Sequence, residues 1–180
     1  MLTIRVSEIE LFNQYTQEIS YIPAQELRLE HSLISLAAWE SAHKKPFIDS
    51  KHGLTVGEFR DYIRCMTINK GVDQRVYDYL GEDVIQRVLN YIDDPMTAAT
   101  FKNEKETHSR EFVTAETIYY AMIAHNIPQE YQKWHLNRLM ALIKTCNVKS
   151  QPEKKMTPKE AAAYHREVNA RNRALLKTKG

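Results

Sequence analysis

The chain has 180 residues, 43% of them apolar, and a formal net charge of +2. That length suits one domain with an appendage, and that apolar share is enough for a packed core. The near-neutral total hides a division: residues 149–180 carry nine Lys or Arg against three Glu, while the rest holds 16 basic and 20 acidic side chains. A mildly acidic body with a basic tail can bind nucleic acid, an acidic protein or its own body. No run of eighteen apolar residues occurs, so no segment is expected to span a membrane. Met1-Leu-Thr-Ile-Arg-Val6 lacks the basic start and long apolar stretch of a secretory leader. Cys65 and Cys146 stand far apart and give neither a disulfide framework nor a zinc spacing, so reduced thiols in a cytoplasm are expected.

Leu2 to Val6 alternates and is rich in β-branched residues, which predicts a strand. Glu10-Leu-Phe12 and Ile19-Ser-Tyr-Ile22 flank a polar turn region and read as a hairpin. Gln25 to Glu30 alternates again, so the first thirty residues form a small antiparallel sheet. Ser32 offers a cap for a helix carrying Leu33, Leu36, Ala37 and Trp39, and Pro46 ends it near His43 to Lys45. Phe47-Ile48 should fold back on the core. Thr55-Val-Gly-Glu58 has capping-box spacing, followed by Val56, Phe59, Ile63 and Met66 at helical intervals. Asn69-Lys-Gly71 breaks the chain, Asp73 begins a short helix through Tyr79, and Asp83 opens another that ends at Asp94-Pro95.

Thr97 to Arg110 is polar and charged and reads as an exposed loop or hairpin tip, with a brief strand over Arg110 to Val113. Thr114 caps a helix with Ile118, Tyr119, Met122 and Ile123 as its stripe, and His125-Asn-Ile-Pro128 connects it to the next. Pro128 to Val148 then reads as one central helix. Pro128 suits a first helical position, and Leu136, Leu139, Met140 and Ile143 recur at helical spacing. Its polar members His135, Asn137 and Arg138 either tie down neighbouring loops or face a partner. Lys149 to Met156 is a polar linker. Thr157-Pro-Lys-Glu160 is a second capping box, opening a basic helix whose large apolar residues are few: Tyr164, Val168, Leu175 and Leu176.

Catalytic patterns are poor. His31 beside Glu30, and Glu40 three residues before His43, could be parts of an acid–base pair, but surface pairs of this kind are far commoner. His43, His52, His125, His135, Cys65 and Cys146 show no short ligand spacing for a metal. Five glycines in the whole chain supply no phosphate-binding loop. Arg166, Arg171, Arg173 and Lys177 could contact phosphates, yet only Tyr164 interleaves them for base stacking, which ranks nucleic acid behind a protein partner.

Six blocks carry a resemblance: Leu27-Arg-Leu-Glu-His-Ser-Leu-Ile-Ser-Leu-Ala-Ala-Trp-Glu40, Lys45-Pro-Phe47, Tyr62-Ile-Arg-Cys-Met-Thr67, Thr114-Ala-Glu-Thr-Ile-Tyr-Tyr120, Gln132-Lys-Trp-His-Leu-Asn-Arg-Leu139 and Asn169-Ala-Arg-Asn-Arg-Ala174. Together they span most of the chain, which resembles the tail assembly chaperones of long-tailed bacteriophages. The resemblance implies a non-enzymatic protein of the host cell cytoplasm, without cofactor. Its partners would be the apolar, helical tape-measure protein and tail-tube subunits, with self-association possible within the family.

The expected fold is α+β, mainly α: a small N-terminal antiparallel sheet and helical body over residues 1–148, a linker over 149–156, and a basic helix over 157–180. The residues expected to meet a partner are Trp39, Trp134, His135 and Arg138 on the body, and Tyr164, Arg166, Arg171 and Arg173 on the tail. The alternative is a nucleic-acid-binding accessory protein working through the basic helix.

Overall fold

The computed structural model describes residues 1–100, 112–150 and 158–176. It is α+β and mainly α, with four short N-terminal strands followed by helices. β1 (Leu2–Val6) pairs antiparallel with β4 (Gln25–Leu29), and β2 (Ile9–Asn13) with β3 (Glu18–Ile22). Both ladders keep a single register, from Leu2 opposite Leu29 to Asn13 opposite Glu18. They are two halves of one long hairpin, interrupted where Ser7-Glu8 faces Pro23-Ala24. Pro23 has no N–H to give a ladder. The tip closes on Asn13, whose Oδ1 accepts from Tyr15 N–H at 2.9 Å, and on Gln17 at φ 56°.

The interruption re-aims the far half, here called the arm. Alternation carried straight on from Ile4 and Val6 would point Phe12, Ile19 and Tyr21 toward the core. Instead Ile9, Leu11 and Ile22 pack against it, and Phe12, Ile19 and Tyr21 are exposed. In the near half, Ile4, Leu27 and Leu29 are fully buried. The segment after the third helix closes the other edge of β4. Ile68 N–H donates to Arg28 O, and the Asn69 side chain accepts from Arg28 N–H at 2.9 Å and donates to Glu26 O at 2.8 Å.

Local signals set the helix starts. Ser32 and Ser35 exchange side-chain-to-backbone bonds at the start of α1 (Leu33–His43). Lys44 at φ 56° ends that helix two residues before Pro46. Phe47, on the short α2 (Phe47–Ser50), folds back and stacks on Tyr62 at 3.7 Å. The Thr55–Glu58 capping box opens α3 (Val56–Met66). A 3-10 turn over Gln74–Tyr79 starts from Asp73, and α4 (Glu82–Asp93) starts from Gly81, so the helix begins one residue ahead of the expected Asp83, which lies inside its first turn. α5 (Ala115–Ala124), α6 (Leu136–Ser150) and α7 (Pro158–Leu176) follow. α1 packs on α3 and α5, and one buried cluster joins Ile4 and Leu27 through Trp39 and Tyr62 to Leu139 and Ile143.

Three expectations are corrected. Pro128 to Val148 is not one helix: Gln129–Lys133 forms a 3-10 turn, Trp134 is extended, and α6 begins only at Leu136. Tertiary hydrogen bonds win over local helix propensity at this point. Leu136 N–H donates to His31 O at 2.7 Å, and His135 bridges to Ser32 in antiparallel fashion. Phe112 and Val113 form no strand, and Val113 N–H donates to the Asp49 carboxylate at 2.9 Å. The polar stretch expected as a linker from Lys149 begins helically, since α6 runs to Ser150. Residues 101–111 and the Thr157 cap lie outside the described residues.

The chain divides into two compact units, Met1–Asn147 and Val148–Gly180. Among the described residues no helix is long and apolar enough to cross a membrane.

Candidate partner-binding groove

The groove follows from how α6 is anchored. His135 caps the helix: its Nδ1 accepts from Asn137 N–H at 3.3 Å, and its carbonyl takes Leu139 N–H. With Nδ1 accepting, Nε2 carries the proton and donates to Tyr91 O at 3.0 Å. The Asn137 amide then donates to Ile92 O and Asp94 O, both at 2.8 Å, which satisfies the C-terminal carbonyls of α4. α6 is thereby held against the end of α4, with Leu139 turned fully inward.

Among the described residues, Met140, Ala141, Lys144 and Asn147 line one side of α6, with Leu136 and Ile143 at its floor. Two hollows run along it. One, of about 360 Å³, lies between Leu136, Phe47, Ile48, Ile92 and Val113, with His31 at its base and Lys51 and Asp93 at its rim. Lys51 and Asp93 form an ion pair with each other. The second, of about 500 Å³, lies between Ala141 and Ile143 and the irregular segment Pro95 to Ala99. Asp93, Asn137 and Met140 line both hollows, so the two form one trough beside α6.

Glu40 fixes one wall of this trough. Its buried carboxylate accepts from Phe47 N–H through Oε1 and from Ala115 N–H through Oε2, both at 2.8 Å. Each donor is the first residue of a helix, where a negative charge complements the helix dipole. His43 goes elsewhere. It stacks on Trp39 at 4.4 Å, and its Nε2 lies 3.5 Å from Asp61, so Glu40 and His43 do not act as a pair.

Beneath the trough, the His31 and His135 rings meet edge to face at 5.2 Å. Burial, then His135 and Lys51, push His31 down to about 3, and the Tyr62 hydroxyl lies 2.6 Å from its Nδ1. Burial also lowers His135, opposed by the Tyr91 carbonyl, and raises Tyr62 far above the usual phenol range. At pH 7 His31 is neutral, with one ring N–H and no positive charge to offer an anion. A floor of neutral imidazoles under aliphatic walls suits a side chain better than an ion. Among the described residues no three His, Cys, Asp or Glu side chains gather as metal ligands.

The expected partner-facing residues scatter. Trp39 is fully buried, with Nε1 donating to Glu58 O at 2.9 Å, so it is a core residue and no surface anchor. His135 is buried as the α6 cap. Trp134 and Arg138 do come together: Trp134 stacks on Tyr131 at 4.1 Å, and the Arg138 guanidinium lies 4.1 Å from the Trp134 ring centre. This stack is separate from the residues lining the trough. On α7, at 100° per residue, Tyr164 and Arg171 share a face with Val168 and Leu175, while Arg166 and Arg173 lie on the opposite one. Sequence reasoning missed Ala141, Pro95 and Phe47 as groove walls. Met140 and Ile143 were visible in the α6 stripe, on a helix that could line a groove, but with Trp39 and Trp134 rather than these two as its anchors.

No protein-family model, curated protein or solved structure matches this chain.

Proposed function

We propose that this protein is a non-catalytic tail assembly chaperone that holds an apolar helix of a tape-measure protein in the trough beside α6. The observation that supports the reading best is the continuity of that trough, apolar along its length and polar at its rim. The residues from Leu136 to Asn147 cover eleven helical steps, roughly 17 Å at ~1.5 Å each, or three turns of a bound helix. Helix-in-groove recognition reads apolar anchors at i, i+3 or i+4 and i+7, and the two adjoining hollows are placed for such a series. A long apolar helix exposed in cytoplasm aggregates, and covering its stripe suffices to keep it dissolved; no reaction is required. The resemblance in the six sequence blocks supports the same role, with tail-tube subunits as later partners.

The test is co-expression with a long helical tape-measure protein from the same genome. The expected result is a soluble partner that co-elutes with this chain. Ala141→Arg keeps a good helix former and fills the trough, so it should abolish co-elution while the far-UV circular dichroism stays unchanged. A partner that aggregates equally with and without the wild-type chain would overturn the reading. The nucleic-acid alternative rests on the exposed arginines of α7 and predicts binding to any duplex that falls steeply with salt. Groove binding of an apolar helix would change little.

A further inference from the structure

The arm of the hairpin has apolar side chains on both faces. One face, Ile9, Leu11 and Ile22, packs on the core. The other pairs Phe12 with Ile19 and Glu10 with Tyr21, and its three large apolar side chains are 51–57% exposed. A solvent-facing sheet surface normally alternates to polar residues here. This surface is apolar with one carboxylate set in it. Between Ser7 and Gln25 the hairpin carries Glu8, Glu10 and Glu18 and no Lys or Arg. None of these three glutamates joins an ion pair among the described residues.

α7 is the converse. Tyr164, Val168 and Leu175 form one stripe, with Arg171 in its middle. Tyr164 is 52% and Leu175 77% exposed, and Val168 between them is half-buried. It belongs to a second compact unit whose sequence is strongly basic. One face offers three apolar side chains around an acid, and the other offers three apolar side chains around an arginine.

We propose that the outward face of the arm binds α7 of a second copy of this chain, with Arg171 against Glu10 and the two apolar sets packed together. The surface is distinct from the α6 trough, and its failure would leave the chaperone reading standing. Docking of this kind is heterologous, so successive copies can add in a chain or close into a ring.

Sedimentation of the full chain over a range from low micromolar to several hundred micromolar tests this. The average mass should rise with concentration. Phe12→Thr with Ile19→Thr, both at exposed strand positions, should weaken association about tenfold or more, as loss of buried anchors does. Arg171→Glu and Glu10→Arg should each weaken it separately. Mixing those two variants should restore it, because acid and arginine then face each other again across the two chains. A wild-type chain that stays monomeric throughout would overturn the proposal. So would association untouched by these substitutions. Glu10→Cys with Arg171→Cys that cross-links within single chains at high dilution would place α7 on its own arm and overturn the second copy.

Discussion

In the half of the hairpin nearest the core, the outward pairs are Thr3 with Arg28 and Arg5 with Glu26, and both arginines pair with the Glu26 carboxylate. In the arm, the outward pairs are Glu10 with Tyr21 and Phe12 with Ile19. The backbone pairing is the same in both, down to the register. What differs is how each half meets the rest of the molecule. The near half lies under α4 and against α3, so its inner face is closed and its outer face is finished with charge. The arm is turned over at Pro23 and leaves an apolar face unfinished. A strand register therefore fixes which side chains are neighbours, and the break between ladders fixes what they meet.

The contrast can be broken most severely in the near half. Leu27→Ala empties a fully buried site and should cost about 2–5 kcal/mol in urea unfolding, the range for large-to-small core substitutions. The connection just after β4 adds a pH effect. Unfolded, His31 takes a proton near pH 6.5, but folded it does so only at about 3. Below 6.5 the unfolded chain binds the extra proton, so stability is fully present above pH 6.5. It falls as pH drops toward 3, at up to about 1.4 kcal/mol per unit. Denaturation midpoints measured between pH 7 and 4 should follow that slope, and His31→Gln should flatten it. The arm should give the smallest effect. Phe12→Thr with Ile19→Thr should change the unfolding free energy of dilute protein by no more than about 0.5 kcal/mol per site, because these side chains are already in water. A loss comparable to that of Leu27→Ala would mean that the arm is covered within the chain itself.

Much of the fold was legible locally. Ser32, Thr55 and Thr114 mark helix starts because a cap needs only residues three apart, and Pro46 and Pro95 mark ends for equally local reasons. The break at Trp134-His135 was not legible, because its causes are His31 O and Tyr91 O, far away in sequence. Trp39 and Trp134 looked alike as candidate anchors, yet one lies beneath Glu58 and the other in a surface stack. Leu11-Phe12 places two apolar residues side by side on a strand, so alternation alone left open which faced outward. The trough was half visible: the α6 stripe was read, but its opposite wall comes from α2 and from the end of α4.

The bond pair at Glu40 has a consequence for cooperativity. One carboxylate holds the first N–H of α2 and the first N–H of α5, which are 68 residues apart in sequence. If either helix start lifts away, the charge that capped it is left half-solvated and pulls less well on the other. Helix α2 has only four residues and could not persist alone. Tied through Glu40 to α1 and α5, it opens with them as one unit, and one wall of the trough inherits the stability of the core rather than that of a surface turn.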